Sequence, residues 1–179
     1  AMWMGNKLSA PGVAPPRFFL RPPAMSRSFH IRVPCTSANI GPGFDVVGLS
    51  LSLYLFLDVT IEADAPHKDP VLTYSGQGAA DAPLNPYQNL ITRVALYVMR
   101  VNDIKSFPRG VRIHVRNDIP FGRGLGSSGA AVIAGLLLGN ELGQLHIDRD
   151  RLLDYALMIE RHPDNVAAAL LGGFVGSYL

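Results

Sequence analysis

The apolar positions change their period several times along the chain, and each change predicts an element. Phe29 to Val33 alternates and predicts a short strand, followed by a Gly/Pro-containing loop, PCTSANIGPGFD. Leu51 to Ala63 (LSLYLFLDVTIEA) is β-rich and alternates toward its end, which predicts another strand. Residues 65–86 hold several Pro, Gly and Asp and predict a loop. Asn89 to Val101 (NLITRVALYVMRV) carries apolar residues at helical spacing, and Val111 to Val115 alternates as a half-exposed strand. A glycine-rich turn then feeds the apolar segment SSGAAVIAGLLLGNELG, a helix with Gly135 and Gly139 on one face. Glycine costs about 1 kcal/mol against alanine in a helix, so the pair predicts close packing on another backbone. Asp148 caps the next helix, with Ile147 and Leu152 as a hydrophobic staple. That helix stops at about Glu160, before Pro163, and LLGGFVGSYL predicts a final apolar strand in which the chain stops as if truncated.

The first 24 residues are rich in Pro and Ala and follow neither period. Residues 1–25 therefore read as a disordered or non-native leader, an organelle-targeting segment being the alternative, and residues 26–179 as one domain. With 48% hydrophobic and 17% charged residues, the chain can supply a core, which excludes global disorder. A single cysteine, Cys35, excludes an internal disulfide framework and a cysteine-rich zinc site, and suits a reducing compartment such as the cytoplasm. No apolar run reaches the roughly 18 residues that span a bilayer, so no membrane partner is expected. The net charge of +2 hides an asymmetry: Lys7, Arg17, Arg21 and Arg27 lie in the first 30 residues with no acid, so the remainder is net acidic. A basic nucleic-acid surface is not indicated.

The strongest chemical signal is PFGRGLGSSGAA, residues 120–131. Gly122, Gly124, Gly126 and Gly129 lack Cβ atoms where a backbone must bend and approach a ligand. The turn opens onto a helix whose first amides are unpaired and whose amino terminus carries about +0.5 of a charge, an anion site suited to a polyphosphate. Ser127 and Ser128 add hydroxyls for a phosphate oxygen or Mg²⁺. No Lys precedes the serines, which excludes a Walker A loop. Gly124, Gly126 and Gly129 match the spacing of a dinucleotide fingerprint, but Glu141 falls inside the helix rather than at a second strand end, which weakens that reading. A glycine-rich loop before a buried helix is the bland alternative.

Three ordered segments resemble one family. Pro120 to Ser128 looks like the ATP motif of the GHMP kinases, Val33 to Gly48 (VPCTSANIGPGFDVVG) is similar to the amino-terminal motif of the homoserine kinases within that superfamily, and Glu160 to Phe174 (ERHPDNVAAALLGGF) resembles their third motif. The resemblance implies an α+β fold: an amino-terminal domain like the second domain of ribosomal protein S5, with a left-handed βαβ crossover, and a ferredoxin-like carboxy-terminal domain missing from this chain. It also implies ATP as phosphoryl donor, Mg²⁺, and L-homoserine as acceptor, giving O-phospho-L-homoserine on the way to threonine. A kinase for another small alcohol, such as a mevalonate-pathway intermediate, and an inactive nucleotide-binding module remain as alternatives. A homodimer is left open, and the chain alone is expected to bind ATP weakly and to turn over nothing.

Site residues follow by matching positions. The nucleotide is assigned to Pro120, Gly122, Arg123, Gly124, Leu125, Gly126, Ser127, Ser128 and Gly129, with Asn89 near the adenine; a plain helix cap is the alternative for Asn89. Asn39 offers donor and acceptor and Asp45 a carboxylate, a pair that can hold a substrate amino group or merely shape an Asx turn; the resemblance favours substrate. Glu160 lies at a helix end, where the macrodipole disfavours an anion by about 0.3–1 kcal/mol, so Arg161 or a metal would offset it. The resemblance assigns Mg²⁺ to Glu160 with Ser127 or Ser128. His162, Asp164 and Asn165 are assigned to the acceptor pocket, Asp164 and Asn165 near the hydroxyl, with Asp164 as a candidate general base.

Overall fold

The computed structural model describes residues 26–62 and 64–177; the assigned leader and the end of the strand expected at Ala63 lie outside them. Strand β1 (Arg27–Ala38) alternates inward Ile31, Val33 and Cys35 with outward His30 and Arg32. It runs five residues past the end expected at Val33, because the register shifts between Pro34 and Cys35. Such an irregularity lets a strand tolerate proline, which has no N–H for the ladder. Strand β2 (Val47–Ile61) pairs antiparallel with β1 and, through Leu55 to Ile61, with β4 (Val111–Asn117).

The segment expected as loop contains β3 (Val71–Gly76), which joins β4 in parallel register, Tyr74 opposite Val115. Pro, Gly and Asp dominate its flanks, so six residues of VLTYSG carry too little periodicity to stand out. Helix α1 (Leu90–Val101) connects β3 to β4, completing a βαβ unit with parallel strands. The sheet order is β1-β2-β4-β3, with β5 (Phe174–Gly176) added to the first residues of β2.

Helix α2 (Ser127–Gly143) is apolar all round, the pattern of a helix buried on every side. Val132, Ile133, Leu136 and Leu138 join Leu57, Val59, Ile113 and Val115 from the sheet in one core. Helix α3 (Arg149–Glu160) starts at Asp148, whose carboxylate accepts the Arg151 N–H at 2.8 Å. Helix α4 (Pro163–Leu171) takes the first two residues of the expected final strand, of which Phe174–Gly176 is the extended part among the described residues. Pro163 occupies the first helical turn, where its fixed φ helps and its missing N–H costs nothing. The Val166–Leu171 run that follows is rich in helix formers; a short apolar run bounded by glycine does not distinguish strand from helix. No helix among the described residues is long and apolar enough to cross a membrane.

The glycine face of α2 meets α1 as expected. A Cβ at Gly135 would lie 2.5 Å from the Ile91 carbonyl oxygen, and one at Gly139 2.3 Å from Val98 Cγ1 and 2.5 Å from the Ala95 carbonyl oxygen. Overpacking of this kind costs about 1–3 kcal/mol, and a carbonyl in a neighbouring helix cannot step aside as a side chain can. Gly135→Ala and Gly139→Ala are each expected to lower the urea midpoint at unchanged m-value despite the better helix propensity of alanine. A raised midpoint in either variant would refute the close helix contact.

Candidate functional site

The glycine turn begins where β4 ends, and its shape comes from left-handed backbone. Gly122, Gly124 and Gly126 have φ of 66°, 68° and 60°, a region that costs residues with a Cβ roughly 1–2 kcal/mol. At Gly126 space adds to conformation: a Cβ there would stand 2.0 Å from Thr36 Oγ1 and 2.9 Å from Asn165 Oδ1. Gly126 is also the cap residue of α2, and no side chain caps that helix. The first bond of this helix start runs from the Ala130 N–H to the Gly126 carbonyl at 2.9 Å. The amides of Ser127, Ser128 and Gly129 have no partner among the described residues. Unpaired N–H groups and the positive end of the macrodipole therefore face outward together.

They open onto a cavity of about 410 Å³. Ser127, Ser128 and Gly122 form one part of its wall, and Leu55, Ile91, Ala131, Pro83 and Phe121 supply an apolar part. Asn89 lines the same cavity but is buried and fully engaged. Its Oδ1 accepts the N–H groups of Ile91 and Thr92 at 3.0 and 3.4 Å, and its amide donates to Tyr74 Oη and to the Pro83 carbonyl. The helix-cap alternative from the sequence thus describes what this side chain does. Pro120 and Leu125 are half-buried, whereas Arg123 and Gly124 are exposed.

Three distant segments close around the start of α2. Ser128 Oγ donates to Glu160 Oε1 at 2.8 Å, across 32 residues of sequence. Thr36, fully buried in β1, receives the turn through its N–H bonded to the Leu125 carbonyl at 3.1 Å and donates its hydroxyl to Asn165 Oδ1 at 2.8 Å. Thr36 is a site residue that the sequence reading did not single out. Only its place inside the CTSAN segment hinted at a role.

Asp164 is 2% exposed and accepts three donors: the Asn165 N–H at 2.7 Å, Asn165 Nδ2 at 3.3 Å and His162 Nδ1 at 2.6 Å. The hydrogen bond to Asp164 raises the His162 pKa above its ordinary value, more than burial lowers it, with the charges of Asp164, Glu160 and Asp45 adding to the rise. All three donors reach Oδ1, so Oδ2 has no hydrogen-bond partner among the described residues. Asn39 and Asp45 both adopt left-handed backbone, and the Asp45 N–H donates to Asn39 Oδ1 at 2.9 Å. Both are exposed, and their loop stands on the His162 side of the site.

No three His, Cys, Asp or Glu side chains gather into a metal-binding group among the described residues. The oxygens of Ser128 and Glu160 nevertheless suit Mg²⁺, which takes one or two protein oxygens and completes its shell with phosphate and water. Thr36→Val replaces the hydroxyl by a methyl of similar size and strands Asn165 Oδ1. Leaving such a group unpaired costs about 1–3 kcal/mol. The variant should lose stability by that amount in urea titration, and an unchanged midpoint would show that the junction is not held by this bond.

Comparison with known proteins agrees with this geometry. Residues 89–173 match the family model of the GHMP kinases N terminal domain. The chain is 60% identical over 157 residues to a homoserine kinase of Candida albicans, covering 85% of this chain and 43% of that protein. It is 57% identical over 163 residues to a homoserine kinase of Saccharomyces cerevisiae, covering 87% and 46%. The crystal structure of a homoserine kinase from Cytophaga hutchinsonii superposes with a TM-score of 0.65 at 28% identity, covering 82% of this chain and 47% of that one. The chain spans less than half the length of the curated relatives it matches. The uncapped helix and its glycine turn thus lie within the stretch that matches the GHMP kinases N terminal domain, and the chain is similar over most of its own length to homoserine kinases.

Proposed function

We propose that the protein transfers the γ-phosphoryl group of ATP to the side-chain hydroxyl of L-homoserine. The observation that carries the reading is the start of α2, where Ser127 and Ser128, with unpaired amides, line a cavity with an apolar wall and Ser128 also bonds Glu160. An apolar cleft suits a nucleobase, and a row of free amides suits the phosphates that follow it. Identity of 57–60% to homoserine kinases supports the choice of acceptor.

Phosphoryl transfer asks a protein mainly for positioning and for neutralisation of charge. The amides of Ser127, Ser128 and Gly129 receive phosphate oxygens. Ser128 and Glu160 would hold Mg²⁺, which when bound offsets the negative charge on those oxygens. Asp45 supplies the counter-charge for the ammonium group of the acceptor, and Asn39 fixes the loop that carries it. His162, Asp164 and Asn165 orient the acceptor hydroxyl, Asp164 through the bonds it already makes. Three donors hold its Oδ1 in place, and its Oδ2, without a partner among the described residues, is the oxygen that would take the hydroxyl proton.

The reading is tested by grafting residues 26–177 in place of the matching region of the Saccharomyces cerevisiae homoserine kinase. ADP release by the graft is expected to depend on homoserine and to be indifferent to mevalonate; absence of homoserine-dependent release would overturn the proposal. In the same graft Glu160→Gln keeps the shape and removes the charge. Turnover should fall by about 10²-fold or more, as when a charge-stabilising group is lost from a phosphoryl or acyl transfer site. Turnover within twofold of the parent would remove Glu160 from the metal site.

A further inference from the structure

The apolar end of the cavity contains one polar group whose hydrogen has no acceptor among the described residues. Of the polar side chains there, Asn89 has spent both amide hydrogens and both acceptor positions. Asn117, also buried, gives its two amide hydrogens to the Gln77 and Ile119 carbonyls and accepts the Ile119 N–H. Tyr74 differs. Its hydroxyl oxygen accepts a hydrogen from Asn89 Nδ2, and its own hydrogen has no acceptor among the described residues. Its ring is packed against the core from β3, so the hydroxyl position is fixed by the sheet.

Burial raises the Tyr74 pKa more than the Asn89 bond lowers it, so the phenol stays neutral and able to donate at ordinary pH. A half-buried hydroxyl with an unspent hydrogen at the wall of an apolar cleft favours a ligand that brings an acceptor. In the nucleotide reading above, on which this inference rests, the group seated there is the base. A purine presents ring nitrogens with in-plane lone pairs, and an amide with no free hydrogen cannot bond to them.

We propose that the Tyr74 hydroxyl, oriented by Asn89, donates to a ring nitrogen of the purine base and is the base-reading residue of this cavity. Asn89 then acts one step away: by giving its amide hydrogen to the Tyr74 oxygen it turns the phenolic hydrogen toward the ligand. The matching of one donor to one acceptor is the arrangement by which buried polar groups discriminate strongly, because an analogue without the acceptor leaves the donor unpaired.

Equilibrium binding of ATP and its 1-deaza, 3-deaza and 7-deaza analogues to the 179-residue chain, in the presence of Mg²⁺, tests this. Each analogue replaces one ring nitrogen by C–H and leaves the phosphates intact. One of the three should bind about 3–10-fold more weakly than ATP, the span of a neutral hydrogen bond. Tyr74→Phe should bind ATP more weakly by a similar factor and should no longer distinguish ATP from that analogue. If no analogue binds more weakly to the wild-type chain, or if Tyr74→Phe retains the penalty, the assignment is overturned. Should Tyr74→Phe not fold, replacing Tyr74 by 3-fluorotyrosine keeps the shape and strengthens the donor; the penalty should then grow, and an unchanged penalty overturns the assignment. Failure of ATP itself to bind the wild-type chain would reject the nucleotide reading as well, which separates the two failures.

Discussion

The arrangement of the site depends on a helix start that is rigidly held and left uncapped. Helix α2 is enclosed by the sheet, by α1 against its glycine face and by α4, so it cannot tilt or shift to satisfy its first amides. Gly126 leads into it in a left-handed conformation and provides no side-chain oxygen. Ser, Thr, Asp and Asn are the usual residues at such a position, and replacing one of them by alanine costs about 1 kcal/mol. Forgoing that bond leaves donors already oriented for an anion, with no reorganisation needed when one arrives.

A second constraint is close backbone approach. A Cβ at Gly48 would fall 1.8 Å from the Asp164 carbonyl oxygen, so the start of β2 lies directly against the first turn of α4. Thr36, Gly126 and Asn165 form a second crowded junction, in which one hydroxyl ties β1 to α4 beside the glycine turn. These two contacts bring residues 36–48, 120–129 and 160–165 to one place. The loop that carries Asn39 and Asp45, the glycine turn and the HPDN segment are far apart in sequence, and no single element holds them all. Their convergence rests on glycines that admit the neighbouring backbone and on hydrogen bonds across 129 and 32 residues.

Much of this was legible along the chain, for reasons that differ by element. Helix α1 and its cap at Asn89, helix α2 and the cap of α3 at Asp148 follow from strong local signals: apolar residues every three to four positions and capping side chains in place. The glycine turn was legible because left-handed backbone favours glycine, and glycines at 122, 124 and 126 write that preference into the sequence. Strand β3 was hidden because its order comes from pairing with β4, 40 residues away, rather than from its own pattern. Helix α4 was not anticipated, and its last two residues were taken into the final strand, since a short apolar run fits either period and packing against β1, β2 and α2 selects the helix.

By itself, then, the sequence determined the periods, caps and glycine positions, each of which acts over a few residues and so is written locally. The tertiary structure decided where hydrogen-bonding capacity is spent. Asn89 reads as a candidate for contact with the base, yet its four bonds within the protein exhaust it, while Tyr74, an unremarked residue in a segment taken for loop, keeps an unspent hydrogen. Asp164 reads as a free carboxylate, yet three donors converge on its Oδ1 and leave only Oδ2 without a partner among the described residues. Whether a polar atom is free to meet a ligand depends on every neighbour that folding brings to it, and those neighbours come from distant parts of the chain.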